Sequence, residues 1–441
     1  MGGMVLVMGL LLVGVRFYQR KAKPDPEVAR KLFHLCSGLI ALSLPWVFHE
    51  LWSVLLLGAV FAMAFVGFRA IPALRTGAGQ VLYGVERESF GEFFFLVSVA
   101  LVFALAKEDR VLYVISMLIL IMSDSAAALI GLRYGKVFYW STTGEKSAEG
   151  SLAFFITAFF CVHIPLLVWT DIGRVESLVA ATIIGLLVML AEAISWRGLD
   201  NFFIPTFSYI LLRFVLDKRV PELVLDLAVL VGLVILVFLW RRRTTLSDDA
   251  LFGVPLFSYL VWSLSDWRWL VPPLMLFVTY TAISAKTELD PIRIINVRVL
   301  LAVASAALFW LFLYGAMQMP EFFYPYVGAL AANLSIIAIV RRKYVAPEMP
   351  LRTLFLRDGW KGILILVPSI LVVDGLTPML LVHFLVGVVT IFVASVFFSA
   401  FQPALETYPA DMSRWIRQSI AVLVASVLSL VPHSHKLLGM I

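Results

Sequence analysis

The chain has 441 residues, 61% of them hydrophobic and 15% charged, with a mean hydropathy of +0.96 and a formal net charge of +6. Soluble domains are nearer 45–50% apolar and about 25% charged, so that class is excluded. Apolar runs of roughly 15–22 residues recur from end to end with no strand-like alternation, so the expected fold class is all-α, a polytopic transmembrane helical bundle rather than a β-barrel.

In such a chain, excess positive charge marks loops facing anionic lipid and the cytosol, and it gives no reason to expect nucleic acid. The first apolar run, Met4 to Phe17, lacks a small-residue cleavage site. A basic cluster from Arg16 to Lys31 follows at once, so the run reads as a retained helix rather than a signal peptide. The positive-inside rule puts that cluster in the cytoplasm and the N-terminus outside. Cys36 and Cys161 each fall inside an expected helix, and their number and spacing suggest neither a metal site nor a disulfide framework.

The segment ARKLFHLCSGLIAL comes next. It spaces Arg30, His34 and Gly38 four apart, on one helix face. His34 lies about one turn inside the bilayer edge, where a structural histidine is as natural as a functional one. VERESFGEFFF brings Arg87, Gly91 and Glu92 to the start of a span. An acid there complements the helix dipole without needing a function.

Asp124 sits within the apolar run ISMLILIMSDSAAALIGLRYGK. A carboxylate at that depth costs roughly 2.5–3.5 kcal/mol, so such residues pair or bind ions, and a cation or proton site is expected. The small residues Ala127, Ala128, Gly131 and Gly135 permit close packing beside it.

The stretch STTGEKSAEGSLAFF is unusually polar and reads as a loop entering a span. Ser147 suits a helix cap and Glu149 suits the first turn. Free N–H groups at that helix start would form an anion site, with Lys146 as a point charge for phosphate and Gly144 and Gly150 allowing close backbone approach. The GxxxxGK[ST] pattern of a P-loop is absent. MLAEAISWRGLDNFFIP adds intramembrane Glu192, about one turn before Arg197, then Asp200, Asn201 and Pro205 in a short polar loop.

Threading the basic clusters gives about 14–16 spans and returns all of these polar features to the cytoplasmic side. Acids, bases and a histidine converging on one membrane face suit a divalent cation bridging polyphosphate oxygens. Residues 1–220 hold nearly all of them. Residues 221–441, beyond a boundary near Arg241–Asp249, are more uniformly apolar and form a second polytopic domain of undetermined role. There Asp226, Asp374 and His383 are isolated polar residues, each expected to be satisfied by a neighbouring helix.

Five motifs occur in order: RKxxHxxxG (Arg30, Lys31, His34, Gly38), Gly91-Glu92 entering a span, SDxxAxxxGxxxGK (Asp124, Ala127, Gly131, Gly135, Lys136), KSxEGS (Lys146, Ser147, Glu149, Gly150, Ser151) and E…DNxxIP (Glu192, Asp200, Asn201, Ile204, Pro205). Together they resemble the polyprenol kinase family, which includes dolichol kinases and phytol kinases. They are similar, more distantly, to CTP-using diacylglycerol kinases and CDP-diacylglycerol synthases. The resemblance covers about residues 25–215. One departure is Ser123, where the family usually has glycine.

The resemblance implies CTP as phosphate donor, Mg²⁺ as cofactor and a lipid alcohol as acceptor, all met at the surface of the surrounding membrane lipids. It implies Asp124 as the main metal contact, with Glu192 or Asp200 helping. Lys146 and Lys136 would hold phosphates, with Ser147, Glu149 and the N–H groups near Gly150. Arg30 would neutralise the transferring group, His34 would take the alcohol proton, and Asn201 would orient nucleotide or metal.

Two rivals are weighed. A cytidylyltransferase making a CDP-lipid shares the acid and the loop, but its histidine–glycine–glycine and paired aspartates are missing. An ion-coupled transporter would use intramembrane acids such as Asp124, Glu192, Asp226 and Asp374. However, the polar residues gather at one face and no inverted repeat is visible. Homo-oligomer formation is left open.

Overall fold

A chain crossing a bilayer must satisfy its backbone hydrogen bonds internally, which favours helices throughout. The computed structural model describes residues 1–441 except 78, 85–88, 108, 143, 245, 285–295, 403–411 and 436–441. The fold is all-α and polytopic. Ten helices among the described residues are long and apolar enough to cross a membrane. The larger expectation of 14–16 spans included shorter segments such as Pro26–Leu42 and Asp200–Leu216. At 17 residues each, these lie at the lower limit of a full crossing. Arg87 lies outside the described residues.

The chain forms two compact units, Met1–Val231 and Gly232–Ile441. In the first, α1 is Gly2–Ala22, α2 Pro26–Leu42, α3 Leu51–Ala70 and α4 Gly91–Ala106. The next span, α5, is Arg110–Tyr134. Then come β1, Phe138–Ser141, and β2, Gly144–Ser147, followed by α6, Ala148–Trp169, α7, Arg174–Ile194, and α8, Asp200–Leu216.

The core of this unit is α6 packed on α5 and α7, with α8 on α4 and α7. The middle of α5 is fully buried at Ile119, Leu120 and Ile121. There the helix widens into a π turn over Ile119–Ser123, ending immediately before Asp124. Such turns are rare and re-aim the residues that follow.

The expected loop before α6 is instead a short antiparallel hairpin, pairing Phe138 with Ser147 and Ser141 with Gly144. Gly144 takes φ +123°, which only glycine adopts readily.

Helix α9 (Val220–Trp240) begins in the first unit and ends in the second, where α10 (Asp248–Leu264), α11 (Trp267–Ser284) and α12 (Val297–Met317) precede an almost wholly buried central helix, α13 (Pro320–Tyr344). Around α13 pack α14 (Ile363–Asp374), α15 (Pro378–Phe401) and α16 (Met412–His433). Asp374 and His383 satisfy each other at 2.6 Å, and Tyr324 donates to Asp374 at 2.6 Å. Asp226, in the first unit, receives Lys218 at 2.6 Å.

Candidate functional site

The polar residues of the first unit meet around one cavity of about 920 Å³. Three helix ends build its mouth. The start of α2 is fixed by Pro26 at the first helical position and by Asp25, whose carboxylate accepts the Glu27 N–H at 2.8 Å. One turn on, Arg30 donates to both oxygens of Glu27, at 2.8 and 2.5 Å. Arg30 therefore faces the cavity already paired, in a bidentate geometry.

Lys31 and His34, three apart, point together at Asp124. The Lys31 ammonium lies 2.5 Å from Asp124 Oδ2, and His34 Nε2 lies 3.6 Å from the same oxygen. His34 Nε2 is buried and has no hydrogen-bond partner among the described residues, and its ring stands edge-on to Phe95 at 5.5 Å. No described donor reaches the second oxygen of Asp124. The intramembrane acid is thus neutralised by Lys31, which the sequence places in the RKxxHxxxG motif without showing what it pairs with.

Across the cavity, Lys146 at the end of β2 donates to the Glu192 main-chain oxygen at 2.5 Å and to its Oε1 at 2.8 Å. The expected phosphate lysine and an expected metal carboxylate are therefore partners of each other. Asp200 lines the same cavity with no side-chain hydrogen bond or ion pair among the described residues. Asn201 is buried and donates to the Gly91 carbonyl at 2.8 Å, tying the start of α8 to that of α4. Glu92 accepts from the Tyr83 hydroxyl at 2.8 Å and lies 3.9 Å from Arg69. Burial and that donated bond both push the Tyr83 hydroxyl above its ordinary value.

Ser147 caps α6 as expected, its oxygen accepting the Gly150 N–H at 3.1 Å. The consequence for the anion site is a correction. The Gly150 N–H is used by that cap, and the Ala148 N–H donates to Val137 at 2.8 Å, so two of the groups expected to be free are already bonded. Glu149 turns outward and accepts from the main-chain N–H groups of Lys136 and Val137, at 3.0 and 3.3 Å. Neither Glu149 nor Lys136 lines the cavity.

Gly150 instead serves packing. A Cβ there would lie 2.9 Å from the Ala127 carbonyl oxygen, so its absence lets α6 close on α5 and sets Ser147 and Lys146 beside Asp124's helix.

Of the expected residues, the cavity gathers Arg30, His34, Asp124, Lys146, Ser147, Gly150, Glu192, Asp200 and Asn201. Sequence reasoning missed Glu27 and the pairing role of Lys31. The available signal was spacing: Glu27 is three before Arg30, and Lys31 three before His34.

No family model matches the chain, and no solved structure does either. Among characterised proteins, it is 28% identical over 202 residues to a phytol kinase from Synechocystis sp., covering 45% of this chain and 83% of the relative. That length accommodates the whole run of motifs from Arg30 to Pro205, and the likeness supports a polyprenol or phytol kinase-like family for the N-terminal half.

Proposed function

We propose that the protein is a kinase that phosphorylates the hydroxyl group of a membrane isoprenoid alcohol at the cytoplasmic face, using CTP as phosphate donor and Mg²⁺ as cofactor. The observation that carries this reading is the position of Asp124, Lys31 and His34 where a charged cavity mouth meets an apolar arm. A hydroxyl anchored by a lipid tail would sit there, beside a polyphosphate held at the mouth. The similarity to a phytol kinase supports the reaction class.

The residues present fit a magnesium ion of the kind that takes most of its ligands from phosphates and water. Such an ion needs one or two carboxylates rather than a protein cage. Asp124 offers its uncommitted oxygen, and Asp200 lines the same cavity with no pairing among the described residues, whereas Glu192 is held by Lys146. Asp124 and Asp200 would therefore hold the ion, which would neutralise charge on the phosphates.

Phosphoryl transfer asks for positioning and charge neutralisation more than covalent chemistry. Lys146 moves between Glu192 and a phosphate oxygen. Lys31 holds Asp124 ionised and oriented. Arg30, kept extended by Glu27, faces the transferring group. His34 Nε2, which has no hydrogen-bond partner among the described residues, accepts the proton of the attacking hydroxyl as its oxygen bonds phosphorus and the bond to the nucleoside diphosphate breaks. The cytoplasmic placement rests on the basic loops that adjoin the mouth.

The test is purified protein in lipid-containing detergent with Mg²⁺ and CTP labelled at the γ- or the α-phosphate, offered phytol, geranylgeraniol, a polyprenol, diacylglycerol or phosphatidate, with ATP as control donor. Label in lipid from the γ-position alone supports the kinase. Label from the α-position makes the protein a cytidylyltransferase. No labelled lipid from folded protein sinks the enzyme reading.

A further inference from the structure

Below its charged mouth the cavity continues as an apolar slot, and its walls have a consistent direction. Helix α2 runs inward from Glu27 to its deep end, α3 runs outward from Val54 to Arg69, and α4 runs inward from Glu92 to Val99. Charged residues thus sit at the same end of all three helices, and aliphatic residues at the other. Helix α2 packs on α1 and α5, α3 packs on α4, and the space between α2 and the α3–α4 pair is the slot. Its deep end is lined by Ala41, Leu44, Val54 and Leu57, all buried.

We infer that this slot is a chain-length gauge for the isoprenoid tail and that Gly58 is its specificity-determining residue, an inference that rests on the lipid-alcohol reading of the mouth. From His34 to Leu44 the wall rises about 15 Å, and from Phe65 to Val54 about 16 Å, at 1.5 Å per residue. That depth takes an extended chain of about a dozen main-chain carbons, or about three to four isoprene units. A tail of ten or more units is several times longer than the slot is deep.

Gly58 shares the slot-facing stripe of α3 with Val54, Phe61 and Phe65. A Cβ added there meets nothing within 4 Å, so a larger side chain would project into open space rather than into packed neighbours. Of the other glycines that line the cavity, Gly91, Gly131 and Gly150 are closed off, their added Cβ atoms meeting neighbours at 2.7, 2.9 and 2.9 Å. Gly58 is thus a position where volume is left unfilled on the slot's own wall.

Two measurements test the gauge. The first compares kcat/KM for geranylgeraniol and geraniol in the wild type, Gly58→Val and Gly58→Phe. The expected result is that the ratio of long to short alcohol falls at least tenfold in Gly58→Phe and less in Gly58→Val. An unchanged ratio in both variants overturns the inference while leaving the kinase reading intact.

The second needs no turnover: geranylgeraniol carrying a diazirine at its far end is photolysed in wild-type protein without nucleotide. Label within Val54–Phe61 supports the slot even if no alcohol is ever phosphorylated, in which case only the reaction reading has failed. Label confined to other helices overturns the slot.

Discussion

The Lys31 ammonium and the Asp124 carboxylate meet at 2.5 Å in the interior of the first unit, both nearly excluded from solvent. A buried pair of this kind is dear to break on one side only, because the survivor is left charged and alone. Lys31→Met is therefore expected to destabilise the protein by roughly 3–5 kcal/mol, whereas Lys31→Met with Asp124→Leu recovers much of that loss. Neither protein should phosphorylate lipid. Asp124→Asn, which keeps the shape of the acid, should cut kcat at least a hundredfold. Thermal unfolding and single-turnover assays on these three variants and on Asp124→Leu alone check both halves. An additive double variant would show that the two side chains do not act as a pair.

Lys146 is held by one side-chain oxygen and one main-chain oxygen of the same residue, Glu192. Losing a charge-assisted contact to phosphate is worth roughly 1.5–3 kcal/mol, so Lys146→Met should lower kcat/KM for the nucleotide about ten- to a hundredfold. Glu192→Gln preserves the main-chain acceptor and should cost less than tenfold. Lys146→Arg should not rescue, since a planar guanidinium presents its donors in a fork rather than as a point charge. Steady-state kinetics with varied nucleotide separates these cases. Equal losses in Lys146→Met and Glu192→Gln would mean the pair is purely structural.

Close packing of α6 on α5 depends on Gly150. A Cβ there would meet the Ala127 carbonyl oxygen at 2.9 Å and the capping Ser147 oxygen at 3.0 Å. Neither backbone nor cap can yield cheaply, so Gly150→Ala should destabilise by about 1–3 kcal/mol. Ser147→Ala removes only the cap and should cost about 1 kcal/mol. Thermal unfolding of the two variants should preserve that order. A Gly150→Ala protein as stable as the wild type would mean the two helices are not held at contact distance.

Much of this architecture was legible in the amino-acid sequence, for physical reasons that differ from residue to residue. Hydropathy gave the helices, because a bilayer leaves the backbone few choices. Spacing gave Arg30 with His34 and the cap at Ser147, because those relations are local. What stayed hidden was pairing across helices. Nothing near Asp124 in sequence says that its partner is 93 positions earlier, or that Lys146 is bound to Glu192 rather than free for a ligand. The hairpin was hidden too, since four-residue strands have too few positions to show alternation. Glu149 was misread because its place in the first turn suits both a ligand role and the observed bonds to Lys136 and Val137. In the second unit, Asp374 and His383 read as separate residues, yet they are joined by a turn that brings α14 and α15 side by side.

Asp358 offers a pH-dependent test in that second unit, outside its spanning helices. Its carboxyl is buried, which alone would raise its pKa, but Arg342 Nε donates to it at 2.9 Å and Lys361 Nζ at 2.5 Å. Those bonds and the two positive charges outweigh burial and hold the carboxyl below its ordinary value. The unfolded chain therefore binds this proton more readily than the folded one. It follows that the stabilisation is complete above the ordinary carboxylate pKa of about 3.9 and drains away as pH falls toward the lower folded value. Asp358→Asn should be less stable than the wild type at neutral pH. As the solution is acidified below about pH 4, the wild-type midpoint should fall faster, and the two curves should converge. Thermal unfolding of both proteins across that range decides the matter, because other carboxylates titrate equally in each and cancel in the difference. Curves that stay parallel would show that the Arg342–Asp358–Lys361 cluster does not set the acid sensitivity of this unit.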